Sequence, residues 1–155
     1  MDEQTYPVQA TSMVALTGAG GDASYVSLKN YRRCTVIIDI LNGTTVTGTV
    51  VTLKQATAVA GTGEKALAFT RMLANIDVGA AQTMTETAVS SNTFTSDTTN
   101  SKRLRYIIEV DSDSLDTAGG FDCFRVDGAS AVNSTGLVQY ILWGARYIGA
   151  SPMAD

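Results

Sequence analysis

Histidine is absent from this chain of 155 residues. With it go Ser-His-Asp and Cys-His catalysis, histidine general bases and every His-ligated metal site. The two cysteines, Cys34 and Cys123, are too few for a Cys-only zinc or cluster site. Charged residues make up 17% of the chain, against about 25% in average globular proteins. The net charge is −4 and the pI about 4.7, so the basic footprint of a DNA- or RNA-binding protein is missing. No apolar run approaches the roughly 18 residues that span a bilayer. Met1-Asp2-Glu3-Gln4 is acidic where a secretory signal would be basic. These absences predict a soluble, intracellularly made protein, with no cofactor, no bound metal, and neither nucleic acid nor membrane as partner.

Hydroxyls stand where charge is missing: there are twenty-one Thr and twelve Ser. Thr and Val in abundance, little Glu and scattered Gly favour pleated strands over long helices. A chain of this length fits one domain and buries enough surface for an ordinary core without disulfide staples. Residues 1–23 read as an N-terminal arm ending in the Gly-rich turn Gly18-Ala19-Gly20-Gly21, and residues 24–155 as a single β-sandwich domain. The arm is more apolar than a solvated tail needs, with Tyr6, Pro7, Val8, Met13, Val14 and Leu16, which predicts docking on a partner.

Strand signals follow along the domain. Arg32–Leu41 carries Val36, Ile37, Ile38 and Ile40; Asn42-Gly43 comes next, and then Val46–Gln55. Asn-Gly supplies positive φ cheaply, so this stretch predicts a type I′ hairpin. Lys65–Leu73 fits a strand or one short helix, and Thr83–Ser101, with eleven hydroxyl residues in nineteen, a long loop or a polar hairpin. In Lys102–Val110, Leu104, Tyr106, Ile108 and Val110 share one face opposite Arg103, Arg105, Ile107 and Glu109. Phe121–Asp127 is expected to end in an Asp127-Gly128 turn. Gly136–Ile148 is apolar on both faces, hence central or interfacial. Seven to nine short strands predict an all-β sandwich, jelly-roll-like, with an extended N-terminal arm.

No motif carries catalysis. Gly61-Thr62-Gly63-Glu64-Lys65 lacks the Gly-Lys-Ser/Thr that opens a phosphate-binding helix, and Glu64 would repel phosphate, so it reads as a turn. Asp111, Asp113 and Asp116 are clustered carboxylates, but Leu115 stands where a calcium ligand belongs. Asp39, Glu86, Glu109, Asp122 and Asp127 are scattered, with nothing to pair them for acid–base work. Asn42-Gly43-Thr44 and Asn133-Ser134-Thr135 match the glycosylation pattern without a secretory signal and read as turns. Cys34 and Cys123 lie in apolar strands as buried thiols. Arg32-Arg33 and Lys102-Arg103-Leu104-Arg105 are the basic spots, suited to a strand face that meets an acidic partner or neighbouring carboxylates.

Val51-Thr52-Leu53-Lys54-Gln55-Ala56-Thr57, followed by Gly61-Thr62-Gly63-Glu64-Lys65-Ala66-Leu67, resembles a phrase found in small virion proteins of tailed bacteriophages. The resemblance spans residues 33–73, and some proteins of this kind resemble head decoration (cement) proteins. It implies no catalytic residue. It implies a non-enzymatic protein on the outer capsid surface of the virion that binds the major capsid protein, bridges capsomers of the expanded head and stabilises the shell. Self-association, with a trimer around a local symmetry axis, is the expected assembly. The candidate contacts are Tyr6, Pro7, Val8, Met13 and Leu16 in the arm and Arg103 and Arg105 on the strand face. Alternatives are a tail or neck component, and a carbohydrate-binding module presenting Trp143, Tyr140 or Tyr147 with calcium at the Asp111 turn.

Overall fold

A computed structural model of the chain describes residues 22–129 and 132–146 in full and residues 5–9 and 14–15 by their backbone. Twelve strands lie among the described residues: β1 (Thr5–Gln9), β2 (Val14–Ala15), β3 (Val26–Ser27), β4 (Arg33–Asn42), β5 (Val50–Ala56), β6 (Lys65–Ala66), β7 (Phe69–Asn75), β8 (Thr85–Ser91), β9 (Thr93–Thr95), β10 (Arg103–Asp111), β11 (Cys123–Ala129) and β12 (Ser134–Trp143). They form two antiparallel sheets. One is seven-stranded, ordered β1-β12-β4-β10-β7-β8, with β2 also on β12; the other is five-stranded, ordered β3-β11-β5-β6, with β9 also on β5. The expected all-β sandwich is therefore what the chain forms.

Alternation explains the packing. In β4, Cys34, Val36, Ile38, Ile40 and Asn42 are buried at every second position, and β10 and β12 repeat the pattern in register beside it. Their inward faces meet Val51, Leu53, Phe124 and Val126 from the other sheet in one core. Each fully buried large apolar side chain contributes roughly 1.5–3 kcal/mol. Polar atoms entering this core are bonded: the Tyr140 hydroxyl accepts from the Val126 amide across the sheets at 3.0 Å, and that of Tyr106 from the Asp97 amide at 2.8 Å. Phe69, Phe94 and Tyr106 close the core at the β7–β9 end, with ring centroids 6.3 and 4.9 Å apart in sequence.

The chain passes from one sheet to the other repeatedly. Strand β4 pairs with β12, β5 with β11 and β7 with β10, the nested pairing of a rolled-up, jelly-roll-like chain. Between β6 and β7, Leu67 and Ala68 carry the chain into the seven-stranded sheet; at Asn92, between β8 and β9, it returns. Residues 65–75 are thus two strands in different sheets rather than one element. The Ser/Thr-rich stretch holds β8 at one sheet edge and β9 beside β5.

Several local expectations are corrected. Asn42-Gly43 makes no hairpin, because β4 and β5 belong to different sheets and β5 starts only at Val50. Asn42 is 1% exposed; its amide donates to the Asp97 and Thr99 carbonyls at 3.0 Å each and its oxygen accepts from Ser134 at 3.1 Å. Gly43 is required by close approach: a Cβ there would stand 2.8 Å from the Asn133 carbonyl oxygen. Asp127-Gly128 is no turn either. Both residues lie inside β11, opposite Thr52 and Val51. The last strand ends at Trp143, before Gly144 at φ 64°, and Tyr147 and Ile148 lie outside the described residues. Gly61-Thr62-Gly63 is a turn as read, with both glycines at positive φ. Cys34 and Cys123 are buried and form no disulfide.

Candidate interaction face

Side chains of β12, β4, β10 and β7 that do not enter the core project from the seven-stranded sheet on its outer side. Because the strands are in register, they form cross-strand rows. One row runs Gln139, Ile37, Ile107, Leu73. Beside it on one side lie Ile141, Thr35 and Glu109, and on the other Leu137, Asp39 and Arg105. Leu41 stands opposite Arg103 at the end of β4. Leu41 and Leu73 are 41% and 38% exposed; Ile37, Ile107, Leu137 and Ile141 are half-buried by their neighbours. Large apolar side chains therefore occupy a sheet face that has no second layer over it among the described residues.

Polar groups on this face are partly used. Arg105 holds Asp39 through two hydrogen bonds, at 2.7 and 2.9 Å, and that bond, outweighing burial, raises the Arg105 pKa. Thr35 donates to Glu109 at 2.7 Å and accepts from the Trp143 indole at 2.9 Å. The Arg33 guanidinium lies over the Trp143 ring, 5.3 Å from its centroid. Arg103 is exposed beside Leu41.

Of the contacts expected from sequence, Arg103 and Arg105 thus share one face. Tyr6, Pro7 and Val8 pair through their backbone with Leu142, Ile141 and Tyr140 of β12, which makes this part of the arm an edge strand of the same sheet. Met13 and Leu16 lie outside the described residues. Ile37, Leu41, Leu73, Ile107 and Ile141 escaped the sequence reading as site residues. The available signal was the apolar outward positions of Gly136–Ile148; the partner rows on β4 and β10 depend on register.

The carbohydrate platform does not form as expected. Tyr140 is buried between the sheets at 1% exposure, Trp143 is covered by Arg33 and bonded to Thr35, and Tyr147 lies outside the described residues. The Asp111–Asp116 stretch makes a 3-10 turn at Ser112–Ser114, and Asp116 caps a second one at Thr117–Gly119 by accepting from the Gly119 amide at 3.0 Å. Asp116 also pairs with Lys65, which with the Gly119 bond lowers its pKa. Among the described residues no group of three His, Cys, Asp or Glu side chains is placed to hold a metal ion. No helix there is long and apolar enough to cross a membrane.

The outer side of the five-stranded sheet differs. Arg125 and Lys54 stand opposite each other on β11 and β5. Asp127 lies 2.7 Å from Lys54 and 2.6 Å from Arg125, and Glu64 lies 3.0 Å from Arg125. Tyr25 donates to Glu64 at 2.5 Å and lies under the Arg125 guanidinium, 5.0 Å from it. The Tyr25 hydroxyl pKa is pushed up, first by burial and then by its bond to Glu64, while that bond is the main cause lowering the Glu64 carboxyl. Lys54 is raised chiefly by its bond to Asp127. Burial alone would lower Arg125, but the Asp127 charge and its neighbours leave it raised.

No family model and no curated protein matches the chain. Among solved structures, the crystal structure of SPBc2 prophage-derived protein YomS is similar at 12% identity and a TM-score of 0.48, covering 93% of this chain and 96% of that one.

Proposed function

We propose that the chain is a non-enzymatic structural protein of a tailed-bacteriophage virion, and within it a head decoration protein. It binds the outer surface of the expanded head through the outer face of the seven-stranded sheet. The observation that carries this reading is that face, with its row of Ile37, Ile107 and Leu73 flanked by Ile141 and Leu137 and, one row further on, Leu41 beside Arg103. The resemblance of residues 33–73 to small virion proteins supplies the context. The four strands β12, β4, β10 and β7, about 4.8 Å apart with seven to ten residues each at about 3.3 Å, span roughly 600 Å². That approaches the roughly 800 Å² one partner contributes to a standard interface. The major capsid protein is the partner, and self-association as a trimer around a local axis multiplies the contact. Binding only the assembled, expanded shell stabilises it over ruptured states by linkage.

The test is co-sedimentation of the purified protein with expanded and unexpanded heads from a phage lacking its gene. Saturable binding to expanded heads, lost in a Leu73→Glu/Arg103→Glu variant that keeps its unfolding midpoint, is the expected result. Absence of binding to either head form overturns decoration and transfers the proposal to a tail or neck component.

A further inference from the structure

Strands β7 and β10 part company halfway along. Their ladder joins Arg105, Tyr106 and Ile107 to Asn75, Ala74 and Leu73 and stops there, whereas β10 continues to Asp111 paired with β4. The cause is topological: β7 is entered from β6 in the other sheet, so its first residues must peel away. A register irregularity between Phe69 and Arg71, against β8, bends it further. The split opens a cleft of about 520 Å³, within the range of ligand pockets.

Both walls of the cleft are strand edges. Even-numbered residues of β10 face β4, since the Asn42 amide donates to the Lys102 carbonyl and the Ser112 amide to the Arg32 carbonyl; odd-numbered residues face β7, since the Val78 amide donates to the Arg103 carbonyl. By the same alternation the backbone N–H and C=O of Glu109 and Asp111 face the cleft, beyond the end of the ladder. Arg71 faces it from β7. The floor is apolar, formed by the buried Leu53, Leu67, Phe69 and Met72. Among the described residues the rim carries three carboxylates, Glu86, Glu109 and Asp111, against one cation, Arg71.

We propose that this cleft docks a short extended segment of a partner polypeptide in which apolar side chains alternate with lysine or arginine. An extended backbone completes the interrupted ladder by strand addition. Side chains at period two then point alternately to the apolar floor and to the acidic rim. The excess of negative charge there selects a basic segment and disfavours an acidic one. The cleft borders the open sheet face and shares Leu73, Ile107 and Glu109 with it, so the peptide titration is made without heads, and its failure leaves the head co-sedimentation result standing.

The probe is the capped peptide Thr-Val-Lys-Val-Lys-Val-Thr, titrated into the full-length, isotope-labelled chain and followed by amide resonances. Two comparators carry Glu in place of both Lys, or an N-methylated central Val that cannot donate. Saturable shifts of Arg71, Glu109 and Asp111, at least about tenfold weaker for either comparator, are expected. A Glu109→Lys/Asp111→Lys variant, changed only at exposed positions, is expected to prefer the Glu peptide. Equal binding of the Lys and Glu peptides, shifts confined to other regions, or no saturation by the Lys peptide overturns the proposal.

Discussion

On the outer side of the five-stranded sheet, cations and carboxylates are spent on each other. Lys54 and Arg125 share Asp127, Glu64 joins Arg125 to Tyr25, and Asp22 stands 3.8 Å from Arg125. On the outer side of the seven-stranded sheet, the one comparable pair among the described residues is Arg105 with Asp39, and the centre is Ile37, Ile107 and Leu73. Both faces arise from the same strand alternation, so the pleat alone does not set the difference. What sets it is what lies above. Tyr25 and Glu64 come from chain outside β5 and β11 and bring the first face its partners. The second face has no such cover among the described residues, and its apolar area is left for another molecule.

Replacing Asp127 breaks the comparison hardest. Its side chain is 10% exposed between Lys54 and Arg125, so Asp127→Ala leaves two partly buried cations without their shared carboxylate. A loss of about 3 kcal/mol is expected, at the low end for a buried pair broken on one side. Urea unfolding followed by far-UV circular dichroism measures it. A loss below about 1 kcal/mol would place this network with ordinary surface pairs.

Asp39→Ala tests the other face. The Asp39 and Arg105 side chains are 28% and 44% exposed, so solvent screens the pair even though it is bidentate. The expected loss is under about 1 kcal/mol by the same urea measurement, and smaller still at high salt. A cost matching that of Asp127→Ala would mean that both faces serve stability, and the contrast drawn between them would fail.

The alternation of β10 was legible in the sequence because Leu104, Tyr106, Ile108 and Val110 recur at period two, and with the β-branched run of β4 and the apolar run of β12 it pointed to a sandwich. Sheet membership was not legible. Asn42-Gly43 is a strong hairpin signal locally, yet the Asn42 side chain is drawn inside by Ser134 and by the Asp97 and Thr99 carbonyls, all distant in sequence. Asp127-Gly128 misled in the same way, since Asp127 lies in the middle of a strand because Lys54 and Arg125 neutralise it. The interaction face was half legible. Arg103 and Arg105 stood out as outward residues, whereas the apolar row joins strands whose register no local pattern contains.

The smallest effect concerns pH and again separates the faces. Glu64 is held below its ordinary value of 4.5, first by the Tyr25 hydroxyl and then by Arg125 and Lys54, against the opposing effect of burial. Its unfolded form therefore takes up a proton at higher pH than its folded form. The stability it contributes is complete above about 4.5 and is lost as pH falls through the folded value. Asp22 acts oppositely: burial and the Asp127 charge raise it, so its protonation favours the folded chain as the medium is acidified. Glu64→Gln should accordingly flatten the acid limb of the urea midpoint below pH 5, and Asp22→Asn should steepen it. With the Glu64 side chain 34% exposed, the difference is expected to stay under about 0.5 kcal/mol after screening. The matching variant on the other sheet, Glu109→Gln, keeps an oxygen that accepts from Thr35 and serves as the control substitution. A Glu64→Gln limb as steep as the parent's would show that the Glu64 charge adds nothing to stability, leaving the Lys54–Asp127–Arg125 pairing as the part of the network on which that face depends.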